Sequence, residues 1–392
     1  MSLFNDLLLL PESELAGSLH TAREIDQQPR LWAKVLDLLA EKSAEAGAFL
    51  RSAGMSGRKT SAVLLCGAGS SAFIGDSIAP VLRRKLQREV MPVPTTRIVT
   101  DPGQVFVPGR SYAVVHFARS GDSPESIAAW RMIRAERPDA AHLVITCSAD
   151  GALALEASRD SSSFVLVLPP EANDRSLAMT SSFTAMALCG IGLADLPGLA
   201  RLKDSLGPVI SAARRITDES SDPLAGFAAA NFSRACYLGS NALEGTMEEG
   251  ALKMMEMTAG AVATVSNSFL GIRHGPRVFM NDECAIIACL ATDPRVRRYE
   301  LDLLRDIRER RQGARLLGVC EREDVVARGL CDQLIVLASG GAGVPDELRI
   351  LTDVLVCQLL AFFASRARGL APDSPSPSGV ISRVVQGVTI YE

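Results

Sequence analysis

Ala62-Val63-Leu64-Leu65-Cys66-Gly67-Ala68-Gly69-Ser70-Ser71-Ala72 is an apolar run that stops at two glycines and two serines. An unbroken apolar run fits a strand covered on both faces, because a half-exposed strand alternates. Tyr112–Phe117, His142–Cys147 and Phe164–Leu168 have the same texture, and helical patterns lie between them. Strands alternating with helices predict a parallel βαβ sheet. A second set follows at Ala235–Gly239, Cys284–Ala291, Leu316–Cys320 and Gln333–Ala338. In both sets the strand starts are separated by roughly fifty and then roughly thirty residues, which marks a duplication. The expected fold is α/β, with each half a small doubly wound domain of parallel strands.

The chain has 392 residues, enough for two domains. The expected division is a helical segment over 1–45, a first domain over 46–217, a second over 218–370 and a tail over 371–392. The joint falls in the polar stretch Asp218–Pro223. Thr21 and Glu24 have the spacing of a capping box, and Leu31, Val35, Leu38 and Leu39 form one apolar stripe. Pro372, Pro375 and Pro377 preclude a helix in the tail, whose last residues are expected to lie extended over a cleft.

Hydrophobic residues make up 47% and aromatics 5%, which favours an Ala/Leu/Val-rich α/β protein over an aromatic-rich sandwich. A net charge of −4 leaves no electrostatic footprint for nucleic acid. Nine cysteines include no CxxC pair, so neither zinc nor redox chemistry is signalled. Cys66, Cys147, Cys236 and Cys320 lie in or beside apolar runs and are expected to be reduced and buried, as in a cytoplasm. The leucine-rich Met1–Leu10 lacks the basic stretch of a signal peptide. No apolar stretch is expected to span a bilayer, and no membrane partner is expected.

Three hydroxyl-rich turns follow strands or open helices in the first half. In the first, Gly67 and Gly69 let backbone approach an anion, while Ser70 and Ser71 offer hydroxyls at a helix start. Ala72 stands where a dinucleotide fingerprint has its third glycine, which alone does not exclude a nucleotide, but the two serine hydroxyls fit a compact phosphate better than a pyrophosphate. The second is Arg119-Ser120-Gly121-Asp122-Ser123-Pro124, with the proline suited to a first helical turn. The third is Thr180-Ser181-Ser182. Each also reads as a tight turn or a helix cap, which is compatible with contact to phosphate.

In the second half Gly239-Ser240-Asn241 repeats the strand-end turn. The next helical pattern carries Glu249, Lys253 and Glu256 at i, i+4 and i+7, on one face. Such a face is usually a solvated salt-bridge ladder, but here it is set among Ala251, Leu252, Met254, Met255 and Met257. Arg273-His274-Gly275-Pro276 then places a histidine in a rigid turn. Two carboxylates, an amine and an imidazole suit proton shuttling on a sugar. His116 and His142 fall in predicted strands and are better core candidates.

At these residues the chain resembles the SIS (sugar isomerase) family of phosphosugar-binding domains. The carrying motifs are Gly67–Ala72, Arg119–Ser123, Glu249–Glu256 and Arg273–Pro276. The last two are similar to the isomerase half of glucosamine-6-phosphate synthase. Thr21-Ala22-Arg23-Glu24-Ile25, Asn173–Phe183 and the ending Pro377-Ser378-Gly379 with Arg383–Val388 are similar to the AgaS-type subgroup. Members of that subgroup are described as galactosamine-6-phosphate deaminase/isomerases or tagatose-6-phosphate ketose/aldose isomerases. The resemblance covers nearly the whole chain and implies two tandem flavodoxin-like αβα sandwiches.

It also implies roles. Glu256 would move the proton between C2 and C1, Lys253 would assist, Glu249 would be a further acidic position, and His274 would open the sugar ring. His274 would reach in from a partner subunit, which makes a homodimer or higher oligomer the expected state. The phosphate-binding hydroxyls would be Ser120 and Ser123, with Ser70 or Ser71 and one of Thr180, Ser181 and Ser182 alongside. Beside the resemblance, Gly69 would let backbone approach the anion, Arg119 would supply a cation, and the Ser240 turn would hold the substrate's polar end. The synthase has Ser-Gln-Ser where this chain has Ala118-Arg119-Ser120, and a tail lysine where this chain offers Arg383. Arginine does not form an imine readily. No glutamine-hydrolysing domain precedes the repeats, so the reaction should run toward ammonia release.

The implied reaction turns galactosamine 6-phosphate into tagatose 6-phosphate plus ammonia, a hydrolytic deamination joined to isomerisation, without metal, nucleotide or other cofactor. The alternatives are a plain ketose/aldose phosphate isomerase, a glucosamine-6-phosphate deaminase and a sugar-phosphate sensor without turnover. Residues 1–45 are too short and acidic to resemble the DNA-binding segment that sensors usually carry.

Overall fold

Ala62–Gly67 is buried residue by residue and forms β1, an inner strand of a five-stranded parallel sheet. Its neighbours are β2 (Val90–Pro94), β3 (Tyr112–Ala118), β4 (Ala141–Thr146) and β5 (Ser163–Val167). The strand order is β2-β1-β3-β4-β5, and every pairing is parallel. The helices α4 (Ser70–Leu86), α5 (Thr95–Thr100), α6 (Pro124–Glu136) and α7 (Ala152–Ala157) make the crossovers. Before the sheet come α1 (Leu3–Leu9), α2 (Leu19–Glu41) and α3 (Ser43–Ser52); after it come α8 (Ser181–Leu193), α9 (Leu199–Glu219) and α10 (Ser221–Ala228).

The second sheet contains β6 (Arg234–Gly239), β7 (Ala263–Ser268), β8 (Cys284–Cys289), β9 (Arg315–Cys320) and β10 (Gln333–Val336). Its order, β7-β6-β8-β9-β10, is that of the first sheet, again wholly parallel. The helices α11 (Ala242–Met257), α12 (Pro294–Glu309) and α13 (Val325–Leu330) connect its strands, and α14 (Arg349–Ala367) follows. This twice-repeated order is the flavodoxin-like doubly wound arrangement that the duplication implied.

The computed structural model describes residues 2–57, 61–230, 232–338, 340–376, 378–385 and 387–391. Met1, Pro377 and Gln386, which the sequence motifs include, lie outside the described residues. Two compact units each hold one sheet. One comprises Arg30–Asp174, Ser181–Asp204 and Ile381–Glu392; the other comprises Met1–Pro29, Arg175–Thr180 and Ser205–Val380. Asp218–Pro223 spans the end of α9 and the start of α10.

Two edge strands were absent from the predicted set. β2 contains Pro92 and Pro94, which are compatible with an edge because an edge strand needs only one side of its ladder. β7 is polar and only partly buried, so it lacks the apolar run of a central strand. The capping box is also corrected. Thr21 lies inside α2, where its amide and hydroxyl donate to Asp373 at 2.7 and 2.8 Å, and the His20 amide donates to the same carboxylate at 3.2 Å. The start of α2 is therefore capped from the far end of the chain. Glu24 instead accepts from the amides of Arg175 and Ser176.

Asp346–Ala367, contrary to expectation, is long and apolar enough to cross a membrane, but its apolar stretch is wholly buried. Core packing accounts for its apolarity, since α14 supports α11 and α10. All nine cysteines are free, with eight buried and Cys331 half-buried. His116 and His142 are buried in β3 and β4, and their facing ring nitrogens are 3.1 Å apart.

Candidate active site

In a doubly wound sheet, ligands gather beyond the strand ends where the order reverses. In the first unit that place lies between the loops after β1 and β3. Gly67 is required there, because a Cβ would sit 2.4 Å from the Ser71 carbonyl carbon and oxygen. Gly69 takes φ 56° and starts α4 without a side-chain cap; Ser70 and Ser71 are buried at the helix start.

After β3, Arg119 is buried and Ser120 accepts from the Asp122 amide at 3.2 Å. Ser123 occupies the N-cap position of α6, but its hydroxyl pairs with Ser126 at 2.6 Å instead of capping. Two helix starts whose N-cap residues make no side-chain cap thus flank the reversal point, and each turns a positive dipole end toward it.

The third hydroxyl cluster differs. Asp174 accepts from the amides of Ser181 and Ser182 at 3.0 and 2.9 Å, and from the Ser182 hydroxyl. The start of α8 holds the chain's own carboxylate, and Thr180, Ser181 and Ser182 are fully buried. Arg383 donates to the Asp174 carbonyl at 2.7 Å and to the Asn173 side chain, and its own carbonyl accepts from Arg119. The tail arginine is therefore tied to the Asn173–Asp174 loop and, through its backbone, to the arginine of the second serine loop.

The other unit repeats the first turn. A Cβ on Gly239 would lie 2.3 Å from the Leu243 carbonyl oxygen, and Asn241 adopts φ 56°, ψ −121° against φ 56°, ψ −130° at Gly69. Asparagine in that region stores strain on the order of 1–3 kcal/mol. Ser240, between them, is half-buried.

Helix α11 follows, packed on α14. Glu249 and Lys253 are wholly buried and 3.3 Å apart, and the Lys253 ammonium also pairs with Glu256. Only the Glu256 side chain reaches the surface, at 22% exposure. The helix therefore presents one carboxylate backed by a buried ammonium and a second, buried carboxylate. That arrangement orients the outer carboxylate while leaving it accessible to a reactant. A solvated salt-bridge ladder would not bury two of its three members.

His274 ends a 3-10 turn over Gly271–Arg273, with its amide bonded to Gly271, and its side chain is exposed. Among the described residues no hydrogen bond or ion pair holds its ring. Neighbouring Arg273 and Arg277 are anchored instead by Asp306 on α12, and Arg273 also by Asp302. The turn is fixed and the imidazole is free to meet something else.

Sequence reasoning missed two carboxylates at the corresponding point of the second unit. Asp293 caps α12, accepting from the amides of Arg295 and Val296 at 2.8 and 3.0 Å. Glu300 is fully buried, and its Oε2 accepts from the Ala291 amide at 2.8 Å. Burial pushes its carboxyl pKa up, opposed by the nearby Ser240 hydroxyl, the Ala291 amide, Arg297 and Arg349. The missed signal was helical: Leu303, Leu304 and Ile307 lie three, four and seven positions beyond Glu300, which sets it on the apolar face.

No family model matches the chain. It is similar to the D-galactosamine-6-phosphate deaminase AgaS of Escherichia coli, 36% identical over 374 residues and 95% of each chain. It is 33% identical over 390 residues to the protein of that name from Shewanella sp. strain ANA-3, covering 98% of this chain and 95% of the relative. Among solved structures, tagatose-6-phosphate ketose/aldose isomerase from Escherichia coli superposes with a TM-score of 0.86 at 30% identity, covering 96% of this chain and 98% of that one.

Proposed function

This chain belongs to the AgaS family of phosphosugar-processing SIS proteins, and from that premise we propose a deaminating isomerase of galactosamine 6-phosphate. The observation that carries the residue assignment is the half-buried carboxylate Glu256, the one member of its group of three to reach solvent, backed by buried Lys253 and Glu249.

The substrate phosphate binds the serine loops, with Ser70, Ser71, Ser120 and Ser123 as hydroxyl donors and the positive dipole ends of α4 and α6 facing it. Arg119 adds a cation at the second loop. The phosphate lies far from the reacting carbons, so its binding contributes orientation. Arg383 holds Asn173 and Asp174 rather than forming an imine.

His274 assists ring opening to the aldehyde. Glu256 takes the C2 proton, giving an enolamine, and returns it at C1, giving a ketimine at C2. Water adds to the ketimine carbon, the C–N bond breaks, and tagatose 6-phosphate and ammonia leave. Lys253 offsets negative charge on Glu256 and on the developing enol oxygen. Glu249 holds the Lys253 ammonium in place. The reaction is hydrolytic, consumes one water and uses no cofactor.

A homodimer in the cytoplasm is the proposed state, with the exposed His274 of one subunit serving the Glu256 of another. A second reading, a plain ketose/aldose phosphate isomerase, is favoured by the name of the similar Escherichia coli structure.

Purified protein mixed separately with galactosamine 6-phosphate, glucosamine 6-phosphate and tagatose 6-phosphate distinguishes them through ammonia and ketose-to-aldose conversion. Ammonia from galactosamine 6-phosphate is expected. Interconversion of the hydroxy sugar with no ammonia from either amine would move the assignment to the second reading. Glu256→Gln should lower kcat about 10²–10⁴-fold with phosphosugar binding kept. Full activity in that variant would remove Glu256 as the base.

A further inference from the structure

The two units share one topology, yet their reversal points are furnished oppositely. In the first, Gly69 is followed by Ser70 and Ser71; in the second, Asn241 is followed by Ala242 and Leu243. Sheet register sets Ala291 where the first unit has Arg119, since His116 pairs with Cys66 as Ala288 pairs with Leu238. The loop that follows is shorter, Ala291-Thr292-Asp293 against Arg119-Ser120-Gly121-Asp122-Ser123, and both lead into a helix that opens on proline. Ser123 leaves the start of α6 without a side-chain cap, whereas Asp293 caps α12 with its carboxylate.

Glu300 completes the contrast. It is the sixth residue after Pro294, and the sixth after Pro124 is Trp130. Its carboxylate reaches the loop after β8 through the Ala291 amide and lies beside Ser240 in the turn after β6. It thus touches both loops that border the reversal point. It is fully buried, and Oε1 has no hydrogen-bond partner among the described residues. Arg349, buried and bonded to the Leu290 carbonyl and to Asp353, contributes positive charge to the same place.

We propose that Glu300 is a built-in substitute for the phosphate: the second unit's anion cradle is closed by the chain's own carboxylates and holds no ligand. Asp293 closes the helix start, and Glu300 fills the reversal point. Glu300 is then a positioning residue. By binding between the two loops it fixes the strained Gly239–Asn241 turn and the start of α11, the helix that carries Lys253 and Glu256. The contrast with the first unit rests on the reading of its serine loops as a phosphate cup.

The test is chemical rescue. Glu300→Ala leaves a carboxylate-sized hole beside the Ala291 amide and the Ser240 hydroxyl, within the positive field of Arg297 and Arg349. Its melting temperature should fall by several degrees and recover saturably with sodium formate, but not with sodium chloride at equal ionic strength. Wild-type protein should respond alike to both salts. Glu300→Gln keeps an acceptor for the Ala291 amide and loses the charge. It should lower kcat by on the order of 10–100-fold through displacement of α11, with KM within about 2-fold.

Equal responses of Glu300→Ala to formate and chloride would overturn the proposal, as would wild-type melting and kcat in Glu300→Gln. If Glu300→Ala folds poorly, its refolding yield is compared in formate and in chloride: a higher yield in formate supports the proposal, and equal yields overturn it. Formate rescue in a protein that deaminates neither amino sugar would sink the functional assignment and leave this one standing.

Discussion

Lys253→Met removes the ammonium from a site where both it and Glu249 are wholly buried. At 3.3 Å and an effective dielectric constant near 20, the lost Coulomb attraction is about 5 kcal/mol. Removing the lysine also ends its own desolvation cost, which lowers the net figure. Truncation of one member of a buried pair typically costs about 3–5 kcal/mol, because the remaining charge stays out of water. The pair lies within α11, the helix that packs on α14, so the loss falls in a central element of its unit.

Expressed as a melting shift, this is on the order of 10 °C for that unit. Differential scanning calorimetry would read it, with ammonia release from galactosamine 6-phosphate measured on the same samples. The double variant Glu249→Gln/Lys253→Met removes the stranded charge and should regain more than half of the lost stability while remaining inactive. Stability and catalysis then separate within one pair of residues. A Lys253→Met protein that melts with the wild type, or a double variant no more stable than the single one, would refute the dependence of Glu249 on this ion pair.

Acid should weaken the first unit through its buried imidazoles. Burial lowers the His142 pKa from 6.5 to about 4, with His116 also held well below its ordinary value. A depressed histidine contributes stability that is complete above pH 6.5 and is lost as pH falls toward 4, because the unfolded chain binds the proton first. For His142 alone the loss is about 3 kcal/mol. Urea titrations from pH 7 to 4 should lose that slope in His116→Phe/His142→Phe, and an unchanged slope would exonerate the pair. Asp373→Ala removes three hydrogen bonds at the start of α2. A cost of about 1–2 kcal/mol is expected, read as faster proteolysis within residues 12–20, and wild-type protection would contradict it.

The central strands were legible because each is covered on both faces and so is apolar without interruption, as in Ala62–Gly67 and Cys284–Cys289. β2 and β7 are covered less completely, and no such run marks them. Helical spacing placed Glu249, Lys253 and Glu256 on one face, but which of them meets solvent depends on α14, about a hundred residues further along. Thr21 and Glu24 matched a local capping pattern while serving distant partners. A carboxylate more than three hundred residues away competes for those amides, and no local window contains it. Glu300 escaped notice because it sits in a helix dense with arginines, where a glutamate reads as solvated charge.

The distant cap gives α2 a temporal dependence. Asp373 follows Thr21 by 352 residues. At about 5–20 residues per second, a ribosome takes roughly 20–70 s to add them. Throughout that interval the first long helix is present without the carboxylate that closes its start. A nascent chain halted before Asp373 would carry a frayed α2, and a stretch translated late fastens one translated early.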